Sequence, residues 1–171
     1  MRQIEPQLVQ EMVKAGCILL ENQQDIQRLV DLTVLPNGTP NKKFVGKNAS
    51  VILDAAHIPY NGDPRLIIMR APKNHPFAVI EMLMPILPVV TVDSFDEGLD
   101  VCLMLEAGLH HTATMHSLNM ERLNRMARKM KTSIFVKNGP SYAGLGFSGE
   151  GTTTFTIATP TGAVSYTHLT L

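Results

Sequence analysis

Residues 133–151 read SIFVKNGPSYAGLGFSGEG, and residues 152–162 read TTTFTIATPTG. The stretch opens on a short apolar run, Ile134, Phe135 and Val136, which has the composition of a buried strand. Behind it come five glycines in thirteen residues, at 139, 144, 146, 149 and 151. A backbone so rich in glycine must turn tightly or approach a neighbour closely. Thr152 to Ile157 is rich in β-branched residues and reads as another strand. Gly144-Leu-Gly146-Phe-Ser-Gly149 matches G-x-G-x-x-G literally, but a dinucleotide fingerprint needs a helix after the loop, so that the pyrophosphate meets the helix N-terminus. With a strand former in that place, the expected role is a loop shaping a pocket wall.

Working outward, the segment ahead of this loop alternates strands and helices. Leu66–Met69 reads as a short buried strand and Leu87–Val92 as a second. Ser94-Phe-Asp-Glu97 has the form of a capping box, followed by Phe95, Leu99, Cys102 and Leu103 at helical spacing. Thr112–Ser117 reads as a strand, Asn119 as a cap, and Met120, Leu123, Met126, Ala127 and Met130 as one helix face. Ser133–Lys137 completes a βαβαβ run, which implies mainly parallel strands covered by helices. Nearer the N-terminus, Ile4, Leu8, Val9, Met12, Val13 and Leu19 predict an amphipathic helix over residues 4–20, with Gly16 near its close. A second helix is expected around Ile26–Val34. A third is expected over Val45–Ala56, with Val51, Ile52 and Ala55 on one side. Pro36–Pro40 and Asn61–Pro64 are turns.

The chain has 171 residues, 44% hydrophobic and 18% charged, which suits a folded domain. Fifteen basic residues balance fifteen acidic ones. That balance gives no electrostatic footprint for nucleic acid or an anionic membrane, and no apolar run approaches the ~20 residues a bilayer span needs. The polar N-terminus is not a secretory signal. Two cysteines make no disulfide framework and fit a reducing cytosol. The ten methionines are read as core filler.

His110, His111 and His116 lie close in sequence. On a strand, however, His110 and His116 stand ~20 Å apart and His111 faces the other way, so no metal site is expected. Cys17 and Cys102 fall on apolar runs with nothing to lower a thiol pKa, and both read as inert. Glu81 stands before Met-Leu-Met-Pro-Ile-Leu-Pro88. It is either a surface or helix-end residue, or an acceptor of hydrogen bonds from sugar hydroxyls.

His75-Pro-Phe77, Glu81-Met-Leu-Met-Pro-Ile-Leu-Pro88, His111-Thr-Ala-Thr-Met-His-Ser117 and Lys137-Asn-Gly-Pro-Ser-Tyr-Ala-Gly144 together resemble the coenzyme-A-acylating aldehyde dehydrogenases of propanediol and ethanolamine utilisation. The resemblance runs in order from about Leu8 to Gly162, and the Pro-Ser-Tyr-Ala-Gly form is closer to the propanediol type. It implies a fold: α/β, the later part of an aldehyde dehydrogenase catalytic domain, with a mainly parallel sheet and covering helices. It also implies a reaction, in which an aldehyde, NAD and coenzyme A give an acyl-coenzyme A and NADH through a cysteine thioester. On this basis Glu81 is the residue expected to hold the nicotinamide ribose, and Leu83 packs near the nicotinamide. Asn138, Gly139, Pro140, Ser141 and Tyr142 wall the substrate pocket.

Neither Cys17 nor Cys102 matches the family's nucleophile, which lies upstream of the segment matching Leu8, so no catalytic residue is assigned within this chain. Residues 1–163 are expected to be a partial catalytic domain. Val164–Leu171 resembles a translated sequencing adapter and is expected to be a foreign tail. The parent is expected to be a cytoplasmic homo-oligomer housed in a bacterial microcompartment. The competing readings are a non-catalytic binding module and a non-acylating aldehyde dehydrogenase.

Overall fold

The computed structural model describes residues 1–146, and the chain begins with a helix shorter than its apolar periodicity predicts. Helix α1 (Glu5–Lys14) carries Pro6 in its first turn, where a missing amide hydrogen costs nothing. Glu5 sits at its positive end and Lys14 at its negative end. The expected helix over residues 4–20 is corrected here. Gly16 takes φ +97°, a left-handed turn that ends the helix, and Cys17–Leu20 continue as strand β1. Four consecutive apolar residues suit a strand buried on both faces, and they pair in parallel with Leu66–Met69 of β2 (Leu66–Arg70). Of the expected apolar helix face only Val9 is buried, while Ile4, Leu8 and Val13 are exposed.

Helix α2 (Gln23–Thr33) starts at Asn22, whose carboxamide oxygen accepts the Gln24 N–H at 2.8 Å. Helix α3 (Ala49–Ala55) begins four residues later than Val45. Its buried side is Ala49, Ile52, Leu53 and Ala56, and Val51, expected on that side, is exposed. The period i, i+3, i+4, i+7 fits the observed face better than the predicted trio. After β2 comes a four-residue helix, α4 (Pro76–Val79), which the sequence reading did not anticipate, and then β3 (Ile86–Val89).

The sheet order is β1-β2-β3, parallel throughout. Ile67 and Met69 of β2 join Leu29, Ile52, Leu53, Phe77 and Ile86 in one core. Each fully buried aliphatic side chain contributes about 1.5–3 kcal/mol, as an upper figure. At the end of β2, Arg70 reaches the carboxylates of Glu5 at 2.8 Å and Glu21 at 3.1 Å, which ties α1 to the sheet.

This is the first of two compact units, Met1–Ser94; the second begins at Phe95. Helix α5 (Phe95–Glu106) starts directly after Ser94, where the capping-box pattern places it. Phe95, Leu99 and Cys102 pack with Met126 and Met130, while Leu103, expected on the same face, is exposed. Strand β4 (Thr112–Met115) stops two residues short of the predicted Ser117. His110 and His111 therefore precede it and His116 follows it. Among the described residues no group of three His, Cys, Asp or Glu side chains could hold a metal ion. Helix α6 (Met120–Met130) is capped by Asn119, which accepts the Arg122 N–H at 2.9 Å. Strand β5 (Ile134–Lys137) pairs in parallel with β4, Thr112 opposite Ile134. Both units have the predicted α/β form, parallel strands with helices. Gly149, Gly151, the expected strand Thr152–Ile157, the boundary at residue 163 and the tail Val164–Leu171 lie outside the described residues.

Candidate functional site

The connection from α4 to β3 is built around one anchor. Met82 is buried in the core of the first unit, and its neighbours Glu81 and Leu83 are both exposed. Leu83 is 62% exposed and holds φ +53°, a left-handed conformation that leucine rarely adopts. Its carbonyl accepts the Gly46 N–H at 3.0 Å. Among the described residues the Glu81 carboxylate makes no hydrogen bond or ion pair. The surface reading of Glu81 therefore describes its place in the fold, and its carboxylate remains open to hydroxyl donors.

Leu83 also lines a cleft of about 490 Å3 with Met84, Pro85, Lys47, Asp63 and Arg65. The volume is in the range of small-molecule sites. Lys47 and Arg65 have no ion pair among the described residues, and the Arg65 stem packs over Gly16. The sequence reading missed this neighbourhood. Its available signal was the Asn61–Pro64 turn, which delivers Asp63–Arg65 to the start of β2.

In the second unit the residues read as a pocket wall leave β5 in order. Asn138 takes φ +54°, Pro140 is extended, and a 3-10 turn occupies Ser141–Leu145. Ser141 and Tyr142 face solvent, Tyr142 at 55%. Gly139 would bring a Cβ within 3.3 Å of Val136, and Gly146 closes the turn at φ +93°. Asn138 spends both ends of its carboxamide on Ser117, with Oδ1 accepting the Ser117 N–H at 2.7 Å and Nδ2 donating to the Ser117 carbonyl at 3.0 Å. Glu81 and Leu83 belong to the first unit and Asn138–Tyr142 to the second.

Neither cysteine is activated. Burial pushes both the Cys17 and the Cys102 thiol above the usual range, the reverse of what a nucleophile needs. Cys17 lies on β1, not on the helix expected for it, and Cys102 lies on α5 as expected.

Parallel α/β units with these connections have the fold of the aldehyde dehydrogenases. The propionaldehyde dehydrogenase of Rhodopseudomonas palustris with bound propionyl-CoA matches with a TM-score of 0.89 and 42% identity, over 96% of this chain and 37% of that one. An engineered glycolyl-CoA reductase with bound NADP+ matches at 0.88 and 42%, over 95% and 37%. A propionaldehyde dehydrogenase from the fucose utilisation microcompartment of Clostridium phytofermentans matches at 0.87 and 38%, over 96% and 38%.

By sequence the chain is 53% identical over 156 residues to the CoA-propanoylating propanal dehydrogenase of Citrobacter freundii, covering 91% of this chain and 33% of the relative. It is 51% identical over 125 residues to the acetylating acetaldehyde dehydrogenase EutE of Salmonella typhimurium, covering 73% and 27%. The chain spans about a third of the length of the curated relatives it matches. No family model matches it. Within the aldehyde dehydrogenases, the chain is homologous to one segment of the coenzyme-A-acylating members.

Proposed function

We propose that this chain forms part of an NAD-dependent dehydrogenase that converts a short aldehyde and coenzyme A to an acyl-coenzyme A. The observation that carries the reading is the 53% identity to a CoA-propanoylating dehydrogenase over 91% of the chain. In this reading Glu81 accepts hydrogen bonds from the nicotinamide ribose hydroxyls. Its exposed carboxylate, free of protein partners among the described residues, supports that role. Leu83, held outward by its left-handed backbone, packs near the nicotinamide. The Asn138–Tyr142 loop walls the aldehyde and acyl side. NAD is the cofactor and coenzyme A the acceptor; similar structures with bound propionyl-CoA and with bound NADP+ support the two ligand classes. The working protein is a homo-oligomer in the cytoplasm, within a bacterial microcompartment. The Clostridium relative's microcompartment origin supports that setting. No helix among the described residues is long and apolar enough to cross a membrane.

The test is a chimera. Residues 8–162 replace the matching part of the Citrobacter freundii propanal dehydrogenase, and NADH formation is followed from propanal. Turnover that requires both NAD and coenzyme A is expected. A folded chimera that forms NADH equally well without coenzyme A would favour a non-acylating enzyme, and a folded, inactive one would overturn the reading.

A further inference from the structure

Asn138 has a side chain wholly committed to main chain. Its own N–H donates to the Met115 carbonyl at 3.0 Å, while its carboxamide both accepts from and donates to Ser117. Those are an acceptor and a donor, which in a parallel ladder two residues of the neighbouring strand would offer to Ser117 between them. The side chain thus continues the β4–β5 ladder past its last main-chain pair, Met115 with Lys137. The line of contacts goes on. Ser117 Oγ accepts the Asn119 N–H at 3.0 Å, and Asn119 caps α6. One polar relay therefore joins the root of the glycine loop to the start of α6.

The residue type is constrained twice. A φ of +54° suits asparagine or glycine. Only a carboxamide has both the acceptor and the donor that Ser117 requires. Glycine would keep the backbone and lose the contacts. Aspartate would keep the shape and set an anion against the Ser117 carbonyl. The relay sits beyond the carboxyl ends of β4 and β5, the side of a parallel sheet where ligands gather.

We infer that Asn138 is a positioning residue, which locks the His116–Asn119 turn and the Gly139–Leu145 loop into one body and holds the pocket wall without touching substrate. Its effect on turnover rests on the acylating-dehydrogenase reading; the clamp itself does not.

The test has two arms. Amide hydrogen exchange at Ser117 is measured by NMR in the 171-residue chain with Asn138→Gly and Asn138→Asp. Asn138→Gly, which loses both contacts, should exchange faster at Ser117 by roughly tenfold or more, and Asn138→Asp, which keeps an acceptor for the Ser117 N–H and loses only the donor to its carbonyl, should exchange faster by less. In the chimera, Asn138→Gly should lower kcat/KM for propanal by about tenfold, with the dissociation constant for NAD unchanged within about twofold. Unchanged exchange at Ser117 in Asn138→Gly overturns the clamp. Slower turnover with unchanged exchange marks a direct substrate contact, and faster exchange with unchanged turnover marks a purely structural tie; either result overturns the positioning role. An inactive chimera that retains Asn138 counts against the enzymatic reading alone, and the exchange arm still decides the clamp.

Discussion

Gly144 lies so close to Ile134 that a Cβ on Gly144 would overlap the Ile134 Cγ2. The glycine is there because the 3-10 turn folds back onto β5, and no side chain fits between them. Gly144→Ala should cost about 1–3 kcal/mol through overpacking, read as a melting temperature lower by several degrees. Ile134→Ala removes the opposing methyl and opens space for the new one. The double variant should then lose less stability than the sum of the two single ones. A wild-type melting temperature in Gly144→Ala would refute the close approach.

His75 caps α4 through Nδ1, which accepts the Phe77 N–H at 3.2 Å, so the cap needs an unprotonated nitrogen. Burial lowers the His75 pKa in the folded chain. The stabilisation is present above the unfolded pKa near 6.5 and is lost as pH falls through the lower folded value. The unfolding free energy from urea titration should drop below about pH 6.5, by the ~1 kcal/mol of a cap. His75→Asn, which keeps an acceptor that does not titrate there, should flatten the profile. Parallel profiles in the two proteins would show that the cap does not titrate.

Much of this fold is legible in the residues. The Asn119 cap, the Ser94 helix start and the β-branched and apolar runs of β2, β3 and β5 carry local signals that tertiary structure leaves in place. The N-terminus misleads because Leu19 falls by coincidence in helical register, while the partner that makes Cys17–Leu20 a strand lies far along the chain at Leu66–Met69. Val51 and Leu103 misplace their faces by one step of a helical turn. At the candidate site, Glu81 and Leu83 are proposed from a motif. The left-handed backbone of Leu83 and the Asn138–Ser117 contacts could not be read from one, since neither follows from residue type alone.

Both thiols are raised by burial, so little thiolate forms near neutrality. The 171-residue chain should therefore form no NADH from propanal, NAD and coenzyme A. Iodoacetamide should modify Cys102 more slowly than free cysteine at pH 7.5. A raised folded pKa also means that the thiols oppose folding as pH climbs past ~8.5, and Cys102→Ala should soften that decline. Turnover that vanishes in Cys17→Ala or Cys102→Ala would overturn the assignment.

In the chimera, Glu81→Gln should weaken NAD handling by roughly tenfold or more, as expected for the loss of charge-assisted hydrogen bonds. Coenzyme-A kinetics should change less. The measurement is the apparent KM for NAD at saturating propanal, and an unchanged value would remove Glu81 from the ribose.

The register of the first sheet carries a kinetic consequence. Strand β2 meets β3 across 19 positions of chain, Ile67 to Ile86, but meets β1 across 49, Cys17 to Leu66. Closing the longer span costs roughly 0.8 kcal/mol more in chain entropy. The β2–β3 pair should therefore assemble first during refolding, with β1 docking late and leaving the open side of β2 as a transient sticky edge. Refolding yield should then depend on protein concentration, because a second molecule can reach that edge before β1 returns to it.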